Sequence, residues 1–451
     1  MHLEHQKQFN YKVFTLAIIG LIVVVLVDTS FVKTYDIVNK QFIPIQGKTV
    51  LFSAISSLCL VLQFFIVRYV HGSIKVDLLD KPVKIRPFYI TTLSSLCLVT
   101  ALIGFSIFEQ FYFGYYSTWI TIAIISVTYG TASGLIIWLS KLFFSWFRSN
   151  PNLVVFLYFI SMVGIAFNLI MTAAYADTKV ADKPPTIGIY VGGGGDITGG
   201  KHGILDTIFR ISSIVSFFSI WLTTAILMYK YRQNLVRAVI FWIVLALPLV
   251  YFLVTYFYLF LFGTILIPVI ETDPVTYSII LSAFLTLSKP IGGLVFGAAF
   301  WNISKVVSYE RNVRISMIIS GLGIFFIFAA NQAVALMVTP YPPFGLSTVT
   351  IMNLAAYLML VGIYNSASLV SANTNLRKSI HKHALESKLL NLIGHAEFER
   401  EIQTTVGKIV KDTPDLELSS ETKYDLDEDE LKKYLDVVIK EVKKDEKPSL
   451  P

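Results

Sequence analysis

Charge is scarce in this chain of 451 residues: only 15% are Asp, Glu, Lys or Arg, where a soluble protein carries about 25%. An ordinary soluble fold is excluded. Cysteine is scarcer still. Cys59 and Cys97 both sit inside apolar runs, which excludes a disulfide framework and leaves two small side chains in a packed bundle. No His, Asp and Glu cluster stands within the apolar runs, so neither a catalytic constellation nor a resident cofactor or metal is expected. Asparagine sequons are missing from the loops expected outside; Asn302-Ile303-Ser304 falls on the other side.

What the chain has is apolar length. Ten segments of about 20 residues cover 12–31, 49–70, 88–108, 118–140, 152–175, 207–229, 238–263, 276–300, 315–338 and 346–369. An α-helix of that length crosses about 30 Å of hydrocarbon. Only helices satisfy every backbone group within one segment in lipid. The expected fold is therefore all-α: a polytopic transmembrane bundle over 1–370, followed by a helical cytoplasmic tail over 371–451. The first segment follows Lys7 and Lys12 but leads into Asp28-Thr29-Ser30-Phe31, which is no cleavage site, so it is expected to stay as a helix.

The net charge of +7 points to orientation, not to nucleic acid. Lys75, Lys81, Lys84 and Arg86 follow segment two, and Lys141 and Arg148 follow segment four. Lys230, Arg232 and Arg237 follow six, Lys305, Arg311 and Arg314 follow eight, and Arg377, Lys378 and Lys382 follow ten. The opposite loops carry few cations. The bias puts both termini in the cytoplasm and the protein in the cell membrane. Phe111-Tyr112-Phe113-Gly114-Tyr115-Tyr116 has the composition of an interfacial belt.

Lys289 is the sharpest single candidate. It lies near the middle of segment eight, in Ser288-Lys289-Pro290-Ile291-Gly292-Gly293. A charge at bilayer depth costs about 2.5–3.5 kcal/mol on insertion scales and defaults to function. Pro290 removes a helix hydrogen bond, and Gly292 and Gly293 loosen the turn, which suggests a broken helix of the kind transporters use at their midplane sites. The competing account has the lysine snorkel, or segment eight offset so that the lysine lies nearer an interface. Asn168, Asn331 and Gln332 are candidate ligand contacts, although buried amides more often bridge helices. Gly293 and Gly297, like Gly130 and Gly134, stand four apart and allow close helix contact, with internal packing favoured over dimerisation. Asp28 ends segment one, either paired with Lys33 or Lys48 or marking the interface. Gly195-Asp196-Ile197-Thr198-Gly199-Gly200-Lys201 imitates a phosphate loop, but His202 stands where Mg²⁺ binding needs Ser or Thr.

The tail begins near Ser371. Leu376 to Val410 is expected as one helix continuing segment ten, with Leu385, Leu389, Leu392 and Ala396 as a marginal coiled-coil seam. His395-Ala396-Glu397-Phe398-Glu399-Arg400 is only a faint phospho-acceptor lookalike. A second helix, about 428–445, has Leu431, Leu435, Val438 and Val442 on one face, an apolar stripe for the tail itself or for a cytoplasmic protein partner. The bilayer is the other expected partner; nucleic acid is not one, and the residues leave the oligomeric state open.

Two stretches resemble a group of uncharacterised multi-spanning membrane proteins of ammonia-oxidising archaea. They are Tyr341-Pro342-Pro343-Phe344-Gly345, and Asn375-Leu376-Arg377-Lys378-Ser379-Ile380 with Ser387-Lys388-Leu389-Leu390 and Ile393-Gly394. The resemblance covers about 60 residues. It implies an architecture, a span running straight into a cytoplasmic helix, and no activity. Three functions remain: a sensor or receptor-like module, which the tail favours; a secondary transporter or channel, which Lys289 favours; and a structural or assembly subunit docking through 431–442.

Overall fold

In the computed structural model, residues 12–29, 45–77, 85–181, 186–187, 203–228, 235–256, 274–307, 310–331, 341–382 and 388–412 are described. Within these, almost everything is helix. The helices are α1 (Lys12–Thr29), α2 (Ile45–Asp77), α3 (Arg86–Phe113), α4 (Thr118–Ser149), α5 (Leu153–Ala181) and α6 (Gly203–Met228). They continue with α7 (Leu235–Tyr256), α8 (Pro274–Val306), α9 (Arg311–Ala330), α10 (Leu346–Ala372), α11 (Thr374–Lys382) and α12 (Lys388–Asp412). One short antiparallel pair, Tyr115–Tyr116 with Thr186–Ile187, ties the α3–α4 turn to the segment after α5.

Eight of the described helices, α1 to α6 with α9 and α10, are long and apolar enough to cross a membrane. This is the architecture of an integral membrane protein. α7 and α8 occupy the seventh and eighth predicted segments; the apolar stretch of α7, Val239–Val254, is shorter than the others.

Local chemistry sets the ends. Pro87 opens α3, where a missing N–H costs nothing. Gly114, with φ +68°, closes it in the left-handed conformation that glycine adopts without strain. The Asn152 side chain accepts the Val154 N–H at 3.0 Å and starts α5. Ser and Thr inside the helices bond back to carbonyls one turn earlier, as Ser53 does to Thr49 and Thr100 to Leu96, so they lie in the apolar bundle satisfied.

The centre of the bundle is α10. Its whole membrane-length stretch is buried, and α2, α3, α4, α9 and α12 pack around it. A helix covered on every face belongs in a core, whatever polar groups it carries there. The outer faces of the other helices carry exposed Leu16, Trp119, Ile137 and Leu153, as lipid contact requires.

The tail departs from expectation. α10 does not run on into the tail: it stops at Ala372, and Asn373 is extended at φ −114°, ψ 106°. The Asn373 side chain then accepts the Leu376 N–H at 3.0 Å and starts α11. Asn-Thr-Asn at 373–375 competes with the helix through its own side chains, which favour caps over helix interiors. Of the coiled-coil seam, Leu385 lies outside the described residues, Leu389 and Ala396 are buried and Leu392 is half-buried. Leu389, Leu390, Ile393 and Ala396 are fully buried, and α12 lies on α10, α4 and α5 of its own chain.

Candidate functional site

The structure draws attention to α10 and its two ends. At one end, Phe344 and Gly345 deliver the chain into α10, and Gly345 holds φ +92°. No side chain of that turn caps the helix. Asp28, from the last turn of α1, does so. Its carboxylate accepts the Gly345 N–H at 2.9 Å and the Thr348 N–H and hydroxyl at 2.8 Å each. Asp28 is fully buried. A carboxylate at a helix N-terminus meets free N–H groups and the positive end of the helix dipole.

Along its length α10 has two unlike faces. Toward α9 it is notched. A Cβ built at Gly323 would run into the Met359 backbone, and one at Gly362 would lie 2.6 Å from the Ser316 carbonyl oxygen. Toward α2 and α3 the face is polar. Ser347 meets Ser56 at 2.8 Å, Gln63 donates to Thr350 at 2.8 Å, and Asn353 donates to the Thr92 carbonyl at 3.3 Å. Cys59 sits in this seam beside the Ser347 carbonyl, whereas Cys97 is exposed, so the two are unpaired.

The other end of α10 is held by α12. Glu397 is buried at 1% exposure. It accepts the Trp146 indole N–H from α4 at 2.7 Å and Arg400 at 2.6 Å. Ser371, in the last turn of α10, contacts Glu401 at 3.4 Å. Arg377 of α11 donates to the Ser371 carbonyl at 3.0 Å and stacks 3.9 Å over the Phe398 ring. Val370 fits where Gly394 has no side chain. Beside this clasp, Glu310, Asn312, Asn373, Thr374 and Asn375 line an open cleft of about 510 Å³.

Burial pushes the Glu397 carboxyl above its ordinary value of 4.5; Glu401 adds to the rise, while Trp146 and Arg400 oppose it. Tyr364 of α10 faces the same charges. A carboxyl raised in the docked state binds its proton more tightly there. The docking it contributes is full below 4.5 and is lost as pH rises through the docked value. Hydrogen exchange of α12, corrected for intrinsic rates, should show less protection at pH 8 than at pH 5. Glu397→Gln should flatten that dependence. Protection that is constant or grows with pH contradicts the assignment.

The sequence candidates are placed as follows. The Lys289 ammonium lies 5.8 Å over the Phe209 ring of α6, which stacks on Tyr175 of α5. Phe209 is only two turns from the start of α6, and Gly293, one turn along from Lys289, meets Phe325 and Phe328 near the end of α9. Lys289 stands near the middle of α8 itself, beside the early turns of α6 and the late turns of α9. α8 is continuous through Pro290, so the expected broken helix is corrected. Gly292 and Gly293 are there for contact: Phe217 covers the first, and the Phe325 carbonyl would lie 2.9 Å from a Cβ on the second. Gly297 faces Gly321 in the same interface, whereas Gly130 and Gly134 meet nothing within 4 Å.

Asn168 and Asn331 come together. Tyr129 donates to Asn331 at 3.1 Å, Asn331 to Asn168 at 2.9 Å, and Asn168 to Ser212 at 3.1 Å. Each amide uses both ends, which is how side chains bridge helices. Gln332, the glycine-rich 192–200 loop and Leu431, Leu435, Val438 and Val442 lie outside the described residues. Sequence reasoning placed Asp28 at the end of segment one but did not foresee that it caps α10, and it gave Glu397 no part in docking the tail. The signal for Asp28 was the turn Pro342-Pro343-Phe344-Gly345, which starts a helix with no capping side chain of its own. Comparison with protein-family models, curated proteins and solved structures finds no match for this chain.

Proposed function

We propose that the chain is a sensor-like membrane module in which α10 couples its Asp28-capped end to the docking of α12. The supporting observation is that α10, enclosed along its length, is gripped at both ends by other parts of the chain. Packed interfaces switch between arrangements and do not deform continuously, so a shift at one grip is passed to the other. In this reading α7 and α8 complete ten crossings. Both termini face the cytoplasm of the cell, as the Lys and Arg bias favours. The Asp28 end then faces outward and α12 inward, where the cleft beside Asn373 offers a partner access to the joint.

The test is to disturb the outer grip and read the inner one. Asp28→Ala should raise hydrogen exchange in α12, some 27 residues of helix away along α10. An unchanged α12 with a frayed α10 start removes the coupling.

A second reading, a transporter or channel, keeps one observation in its favour: an ammonium held against a ring within the bundle. With Cys59 and Cys97 replaced by Ala, a lone Lys289→Cys should react with an impermeant thiol reagent if an aqueous path reaches it. No reaction from either side in folded protein removes Lys289 as a transport site.

A further inference from the structure

The seam between α10 and its neighbours α2 and α3 has more polar groups than it has partners for them. Four side chains in it are at least nine-tenths buried and hold a polar atom with no hydrogen-bond partner: the Gln63 carbonyl oxygen, the Thr92 hydroxyl, the Asn353 carbonyl oxygen and the Tyr357 hydroxyl. They come from three helices and follow one another down one stripe. Ser347, Thr350, Asn353 and Tyr357 recur on α10 at three, three and four residues, which is one helix face. From Ser347 to Tyr357 this stripe is about 15 Å long, at roughly 1.5 Å per residue.

Such atoms are costly. A buried donor or acceptor left unsatisfied costs about 1–3 kcal/mol, and native proteins answer it with protein or with ordered water. A water in such a place makes about three hydrogen bonds. One stranded group is a local flaw; four at successive levels of one seam call for water they can share.

The path has ionisable groups at both ends. At the start of α10, the Thr348 hydroxyl beside Ser347 donates to the buried Asp28 carboxylate. Lys48, in the first turn of α2, and Glu109, in the last turns of α3, are both buried, and the Gln110 carbonyl beside Glu109 accepts the Tyr341 hydroxyl from the turn before α10. At the other end, Tyr89 of α3 is an electrostatic neighbour of Tyr357, and its ring stacks on His71 of α2 with centroids 3.8 Å apart.

We propose that the α2–α3–α10 seam is a hydrated proton path, in which water bonded to Gln63, Thr92, Asn353 and Tyr357 carries protons between Asp28 and the His71–Tyr89 pair. Each step breaks one O–H bond and forms the next. A proton entering at the carboxyl end leaves one at the imidazole end, and no other bond changes. Net flow moves one positive charge per proton and needs a compensating ion. This activity shares Asp28 with the coupling of α10 to α12 but does not rest on it.

The purified full chain would be placed in liposomes that enclose a pH-sensitive dye. A potassium gradient with valinomycin would set the interior negative and supply the compensating ion. The wild type should acidify the interior at least fivefold faster than protein-free liposomes. Asn353→Leu should abolish most of that flux, because an apolar side chain of similar size closes the file. Asn353→Ser should keep it, since a small hydroxyl leaves both a polar group and room for water. Asn168→Leu, in the separate amide bridge, should leave it unchanged. Size exclusion and circular dichroism identify folded variants, and the Ser variant carries the comparison if the Leu variant does not fold. Wild-type flux no faster than that of empty liposomes overturns the proposal. So does equal flux through folded Asn353→Leu, or loss of flux in Asn353→Ser.

Discussion

Gly362→Val should cost the bundle at least about 3 kcal/mol, and in detergent the variant should unfold well below the wild type. Overpacking a tight core typically costs 1–3 kcal/mol when side chains can shift. Here the obstacles are mostly backbone. A Cβ at position 362 would sit 2.6 Å from the Ser316 carbonyl oxygen and 2.7 Å from the Ser320 nitrogen, and valine adds two methyl groups beyond it. α9 would have to move away from the buried core helix, and the Asn365 to Ser316 hydrogen bond of 2.7 Å would go with it. Gly130→Val is the matched control: nothing lies within 4 Å of a Cβ there. Its effect should stay within about 1 kcal/mol, the scale of helix propensity alone. Equal losses in both variants would show that valine in these helices, and not the α9–α10 contact, sets the cost.

Loss of the Asp28 carboxylate should be comparably severe. Asp28→Ala removes three hydrogen bonds of 2.8–2.9 Å and strands the Gly345 and Thr348 N–H groups in a buried site. Hydrogen bonds to a charged partner contribute about 1.5–3 kcal/mol each, not additively, and the helix dipole adds up to about 2. A total of about 3–5 kcal/mol is expected. Asp28→Asn, which keeps one acceptor oxygen, should lose clearly less. Because general loosening also speeds exchange, Asn168→Leu serves as reference: it breaks the α5–α9 bridge without touching either end of α10. At matched stability, α12 should exchange faster in Asp28→Ala than in Asn168→Leu. Equal rates in the two would falsify the coupling of α10 to α12.

Much of the bundle was legible in the chain because lipid imposes a simple rule: about 20 apolar residues in a row have to be helix. Gly293 and Gly297 signalled close packing, and Asn168 and Asn331 signalled bridging, because small and amide side chains have few other uses at that depth. The polarity of α10 was harder to interpret. Ser347, Thr350 and Asn353 look like scattered polar residues until Ser56, Gln63 and Thr92 are brought opposite them by contacts hundreds of residues apart in sequence. The tail misled for a similar reason. A leucine-lined helix fits a coiled coil equally well, and only the tertiary fold shows Leu389, Leu390 and Ile393 buried on a helix packed against α10 and α4. Lys289 stood out by its charge, yet its level depends on where α8 begins, which hydropathy alone does not fix.

The enclosed position of α10 also bears on the order in which the bundle is made. It is the last of the membrane-length described helices to leave the ribosome, and it is the one the others surround. Helices inserted earlier stand in the bilayer before their shared centre exists, with Ser56, Gln63 and Asp28 still waiting for the partners that α10 brings. Among the described helices, the polar groups of α1 and α2 at this seam therefore find their partners only when α10 joins them.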